Sequence, residues 1–171
     1  MKFHKIDDFL DNNRFKIATI CVFVLFVFLI VLSIKNTTVS YGSLITTSAA
    51  IATIYYGLIK YWIDKDLIFK SLFESFNKRF NDLNSDLNAI VVGQQPEKKS
   101  AEEIVQDYLN LCAEEYYWFK KGRIPKIVWY SWLNGIGYYL GSDKIRMYFK
   151  EQLEWDKSYY GFLNSIIKKL K

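Results

Sequence analysis

The chain is 171 residues long, 51% hydrophobic, and carries a formal net charge of +5 with one histidine and two cysteines. The charge divides as +1 before residue 17, +1 at Lys35 and +3 from Lys60 onward, a spread that argues against a basic nucleic-acid-binding patch. His4 is the sole histidine and lies near the N-terminus, which argues likewise against His-based acid–base chemistry and most transition-metal sites.

The first element is the uncharged run IATICVFVLFVFLIVLSI, Ile17 to Ile34. Its 18 residues reach about 27 Å as a helix, close to the ~30 Å hydrocarbon core of a bilayer. It exceeds the ~7–15 residues of a signal-peptide core and no A-x-A-like site follows, so a retained anchor is expected. Phe and Val surround the run on every face, whereas a soluble helix keeps a polar stripe. After the connector Lys35 to Ser40 comes a second uncharged stretch, YGSLITTSAAIATIYYGLI, Tyr41 to Ile59. The two together predict a membrane hairpin over residues 1–63, with the lipid bilayer as the chain's first partner. Lys2, Lys5, Arg14 and Lys16 precede the first span and Lys60, Lys65 and Lys70 follow the second, while the connector holds only Lys35. This asymmetry predicts that both termini face the cytoplasm.

The second span is rich in small and weakly polar residues. Gly42, Thr46, Ala49, Thr53 and Gly57 recur at intervals of 4, 3, 4 and 4, which places them on one helical face. In lipid, small faces permit close helix approach and hydroxyls bond across helices. This face is expected to pack against the first span, to contact neighbouring subunits, or to line a pore.

Residues 64–92 carry a heptad-like seam. Phe69, Phe73, Phe76, Phe80, Leu83, Leu87 and Ile90 alternate at 4 and 3. No Gly or Pro lies between Leu58 and Val92, so the second span is expected to continue as one helix of about 50 residues. The seam is expected to serve partly as intrachain core and partly as subunit contact. Within it, Arg79 and Asn84 have the spacing of the R-x4-H ribonuclease motif of HEPN domains, with Asn in place of His. Asn cannot exchange protons as His does, so the pair reads as an ordinary helix-surface Arg and Asn. Arg146 likewise has Glu151, not His, five positions on.

Gly93 to Lys99 is the one clear loop. Ser100 and Glu103 form a capping-box pattern and open a helix to about Lys121, stopped by Gly122. Pro125 starts a further helix to about Tyr138, weakened at its end by Gly135 and Gly137. Helices over about Lys144 to Glu154 and Tyr159 to Leu170 complete the chain. No alternating strand pattern is present, so residues 64–171 are expected to form an all-α cytosolic domain. The last helix is basic and amphipathic and is expected to close that domain's core, with the inner leaflet of the membrane as the alternative surface for its apolar face. Sixteen of the 31 aromatic residues fall between Ile104 and Phe162, which predicts a densely aromatic core. Cys21 and Cys112 lie in different regions and form neither a disulfide framework nor a metal site. The adjacent carboxylates Glu102-Glu103 and Glu114-Glu115 diverge on a helix, one of each pair solvated and the other partly packed. No phosphate-cradling glycine loop and no nucleophile elbow occurs. No catalytic residue, cofactor or metal ligand is therefore assigned.

The segment LNLCAEEYYWFKKGRIPKIVWYSWLNGI, Leu109 to Ile136, together with the hairpin, resembles the small two-span membrane accessory proteins of RNA-targeting type VI-B CRISPR systems. The resemblance lies in size, hairpin, helices and aromatic style, and carries over no catalytic residue. It implies a bacterial inner-membrane protein with a divergent HEPN-like helical domain that assembles into a ring-shaped pore. It also implies a cytosolic RNA-guided effector complex as partner and a role in antiviral defence through depolarisation. A cyclic homo-oligomer would use the two unpartnered features, the small-residue face and the Phe seam. Two other classes stay open: a non-conducting membrane-tethered scaffold that recruits a cytosolic partner, and a HEPN-like ribonuclease.

Overall fold

The computed structural model describes residues 2–35, 40–97, 99–150 and 158–170, with side chains for residues 13–34, 40–97, 99–150 and 159–166. Most of the connector, residues 36–39, lies outside the described residues, as do residues 151–154 of the expected fifth helix and Lys171. The described residues form helices and turns with no strand, so the fold is all-α. Its elements are α1 (Lys2–Lys35), α2 (Tyr41–Val92), α3 (Ala101–Lys120), α4 (Lys126–Gly141), α5 (Asp143–Arg146), a 3-10 turn (Ser158–Gly161) and α6 (Phe162–Leu170). The chain divides into two compact units, Met1–Lys65 and Asp66–Lys171.

The first unit is an antiparallel helical hairpin. Phe15 meets Trp62 edge-on at 5.4 Å, and Thr19 lies 2.8 Å from the Tyr55 hydroxyl. The single Thr19 hydroxyl hydrogen already goes to the Phe15 carbonyl, so Tyr55 is the donor in that contact. Toward the connector, Phe26, Leu29 and Ser33 face Leu44, Ile45 and Ser48. Both helices are long and apolar enough to cross a membrane, and none of their most apolar windows is buried within the chain. A water-exposed row of Phe23, Phe26 and Phe28 would forfeit the burial that stabilises apolar groups.

The second unit is built around α3, which touches α4, α6 and the 3-10 turn. Nine of its residues are buried, from Ala101 to Glu115, spread over a wide arc, as a central helix requires. Ser100 and Glu103 make the expected capping box: the Ser100 side chain accepts from the Glu103 amide, and the Glu103 carboxylate accepts from the Ser100 amide. At the other end Gly122 takes φ +68. The Arg123 amide donates to the Trp118 carbonyl at 3.0 Å and the Gly122 amide to the Phe119 carbonyl at 2.9 Å. That pair of bonds is a Schellman motif, and it satisfies two carbonyls the helix end leaves open. Gly93 ends α2 in the same way, with Gln94 donating to Ala89 and Gly93 to Ile90.

Three element boundaries differ from the sequence reading. Helix α4 runs through Gly135 and Gly137 to Gly141, because burial of Ile136, Tyr139 and Leu140 outweighs the ~1 kcal/mol that each glycine costs a helix. Helix α5 ends at Arg146. Beyond it the amides of Tyr148 and Phe149 donate to carbonyls three residues back, a tighter winding that turns Phe149 into the core. Helix α6 begins at Phe162, not Tyr159, since Tyr159 (φ 53), Tyr160 (φ 56) and Gly161 (φ 75) are all left-handed. Two successive left-handed tyrosines are strained. Their position is held by ring contact between Tyr160 and Tyr117 at 5.2 Å and by burial of Phe162, Leu163 and Ile166.

Candidate functional site

Within the hairpin, the α2 side chains turned toward α1 are Leu44, Ser48, Ile51, Tyr55, Ile59 and Trp62, all half-buried. At about 100° per residue these six share one face. Gly42, Thr46, Ala49, Thr53 and Gly57 fall on the opposite face, and all five are exposed. A Cβ added at Gly57 would meet nothing within 4 Å. Of the three arrangements open for the small-residue face, packing against the first span is therefore not the one adopted. The larger side chains make that contact: Phe15 meets Trp62, Thr19 meets Tyr55, and toward the connector Phe26 and Leu29 face Leu44 and Ser48 across a shallow cleft.

The hydroxyls on the small face also behave differently from the expectation of bonds across helices. Thr46 donates to the Gly42 carbonyl at 2.9 Å and Thr53 to the Ala49 carbonyl at 2.9 Å. Each hydroxyl is thus satisfied inside its own helix, and the face presents a smooth, shallow, weakly polar surface. Such a surface admits a second helix backbone closely.

The Phe seam divides along its length. Phe76 (2% exposed), Leu87 and Ile90 are buried in the core of the second unit, and Phe80 and Leu83 pack against them. Phe76 meets Trp132 edge-on at 6.0 Å and Phe80 lies 6.3 Å from Tyr108. Those five positions are turned inward in this chain. Phe73 is 39% exposed, with one ring face stacked on Trp132 at 5.8 Å, and Phe69 is half-buried beside it at 5.7 Å. Outward apolar surface on the seam is thus confined to its first turn.

Arg79 and Asn84 have separate structural partners. Arg79 forms a bidentate ion pair with Glu114, at 2.6 and 3.1 Å. That hydrogen-bonded carboxylate holds the guanidinium above its ordinary value, against the opposing effect of burial. Asn84 accepts from the Tyr139 hydroxyl at 2.7 Å and from the Asn88 amide at 3.3 Å. The two side chains do not converge on a shared reacting position. Cys112 is fully buried, and burial pushes its thiol well up, so it stays protonated and unreactive. Among the described residues no group of three or more His, Cys, Asp or Glu side chains could hold a metal ion.

Of the two carboxylate pairs expected to have one packed member, Glu102-Glu103 has both side chains exposed, whereas in Glu114-Glu115 the packed member is Glu115. Glu115 is only 7% exposed and no described residue hydrogen-bonds to it. Burial pushes its carboxyl up to about 8; Arg79 pulls it down and Glu114 adds a smaller upward push. It lines a cleft of about 190 Å³ together with Phe80, Tyr108 and Trp132. The only sequence signal was adjacency to Glu114.

No protein-family model matches the chain, and neither the curated proteins nor the solved structures contain a significant match to it.

Proposed function

We propose that this chain is an integral membrane protein that self-associates into a cyclic homo-oligomer, with the Gly42–Gly57 face of α2 at the subunit contacts or the lumen. The observation that carries this reading is the opposition of two faces on one helix. One face of α2 is taken up by α1, and the small-residue face points directly away from it. In a ring with α2 inside and α1 outside, that geometry turns the small face toward the neighbouring subunit and the axis. The large side chains of α1, such as Phe23, Phe28 and Ile34, then meet lipid.

The orientation follows from the same hairpin. Antiparallel pairing gathers Arg14, Lys16, Lys60 and Lys65 at the end marked by the Phe15–Trp62 contact, and Arg14 lies 5.9 Å from the Trp62 ring. A basic end supports a cytoplasmic side for both termini, and the bacterial inner membrane is proposed from the resemblance. In the fullest form of the proposal the assembly is a non-enzymatic effector of antiviral defence. A cytosolic RNA-targeting complex triggers it and the membrane depolarises. This last step rests on the resemblance of Leu109 to Ile136 and the hairpin to the type VI-B accessory class. The test is dye uptake and membrane potential in cells carrying the chain with and without a triggered effector complex. Leak that needs both chain and trigger supports the pore.

A second reading, a non-conducting scaffold, is favoured by one feature. Ile127 (75% exposed), Tyr130 and Tyr138 form an outward stripe on α4 suited to a protein partner. Absence of leak from the triggered, correctly inserted chain would favour it. RNA cleavage by the purified chain would revive the ribonuclease.

A further inference from the structure

The cleft beside Glu115 combines a buried carboxyl, a polar mouth and aromatic walls. Its floor is α3, which contributes Glu115 and Tyr108. One wall is Phe80 of α2, whose ring lies 6.3 Å from that of Tyr108. The other is α4, which contributes Trp132 and, at the rim, the exposed Ser131 and Gly135. At about 190 Å³ the space accepts a small ligand and not a peptide.

The charges around it set what that ligand is. The nearest cation, Arg79, is committed to Glu114 by two hydrogen bonds and makes none to Glu115. The Tyr108 hydroxyl is pushed far up by burial and the Cys112 thiol likewise, so both are neutral. Among the described residues that line the cleft, Glu115 is thus the one that can supply net charge. A carboxyl with three aromatic rings around it is the arrangement that holds an ammonium group: the ring faces attract the cation and the carboxylate neutralises it.

We propose that this cleft binds a small alkylammonium ion, with Glu115 as its counter-ion and Phe80, Tyr108 and Trp132 as its aromatic walls. An incoming cation stabilises the ionised carboxylate. The proton that Glu115 holds when the cleft is empty therefore leaves to solvent as the ligand enters. Binding is accordingly coupled to release of one proton, and the affinity rises close to tenfold per pH unit while the pH stays below about 8. Arg79, held above its ordinary value, stays ionised, and Tyr108 and Cys112, pushed up by burial, stay neutral, so none of these three adds to the slope.

The test uses the full chain in neutral detergent and titrates it calorimetrically with tetramethylammonium chloride, with tert-butanol as an uncharged probe of similar shape. The expected result is saturable heat with tetramethylammonium and none with tert-butanol. Repeating the titration in two buffers of different ionisation enthalpy should show about one proton released at neutral pH. Glu115→Gln keeps shape and neutrality, and should weaken binding at least tenfold with the aromatic near-ultraviolet spectrum unchanged. Gly135→Leu is an independent block: Gly135 lines the cleft and a Cβ there meets nothing within 4 Å, so the added side chain should narrow the mouth without a clash at Cβ and should likewise weaken binding at least tenfold. Equal binding of the two probes, binding that survives Glu115→Gln, or no saturable heat from the folded wild-type chain would each overturn the proposal.

Discussion

Glu115 gives the sharpest quantitative expectation. In the unfolded chain its carboxyl titrates at the ordinary 4.5, and in the folded chain burial pushes it up to about 8. Between those values the folded chain holds a proton that the unfolded chain has released. Stability conferred by that proton is present at the acid end and declines as the pH rises, until it is gone above about 8. Below about 4.5 both states are protonated and the group is silent. The whole interval corresponds to at most about 5 kcal/mol, and water entering the cleft mouth reduces it. Glu115→Gln removes the carboxyl without changing its shape. The variant should match the wild type within about 1 kcal/mol near pH 5 and exceed it by several kcal/mol near pH 9. Urea unfolding of both full-length proteins in neutral detergent, followed by near-ultraviolet circular dichroism, measures the difference. Other titrating groups are common to both proteins and cancel. A difference that does not change with pH, or a variant less stable at alkaline pH, would refute the argument that burial governs the Glu115 carboxyl.

Phe76→Ala should cost about 3–5 kcal/mol, because the ring is buried against Trp132, whereas the half-exposed Phe73→Ala should cost clearly less; thermal unfolding compares the two. Arg79→Ala should cost about 1 kcal/mol or less, since both members of its ion pair are about 40% exposed, and should alter no RNA-cleavage signal. In the hairpin, Ala49→Trp should abolish self-association on size-exclusion light scattering, while Phe23→Trp, on the lipid side of α1 and 66% exposed in the single chain, should not. Ile51 is unsuitable as that control, because it lies on the seam with α1.

Legibility in the sequence followed how local each determinant is. The Ser100–Glu103 cap, the Gly122 stop and the uninterrupted course of α2 depend on residues a few positions apart, and all three are present. Helix α4 overran its expected end because its fate depends on what Tyr139 and Leu140 touch, not on Gly135 and Gly137. The left-handed pair Tyr159 and Tyr160 is held by tertiary ring contacts that carry no local signature. The same division applies to function. The period of the small residues in α2 is local and placed them on one face, but which face α1 would occupy depended on contacts between the two helices. Which member of Glu114-Glu115 is buried was the least legible. Arg79, 36 positions before Glu115, pairs with Glu114, while Glu115 is buried.

The central claim is that the small-residue face of α2 joins subunits around an axis. Single-particle imaging of the detergent-solubilised full-length chain tests it most directly. The account predicts closed rings with α2 inside, α1 outside, and Gly42, Thr46, Ala49, Thr53 and Gly57 at the subunit contacts or the lumen. Monodisperse monomers, or rings in which that face meets the detergent belt while α1 lines the centre, would contradict it.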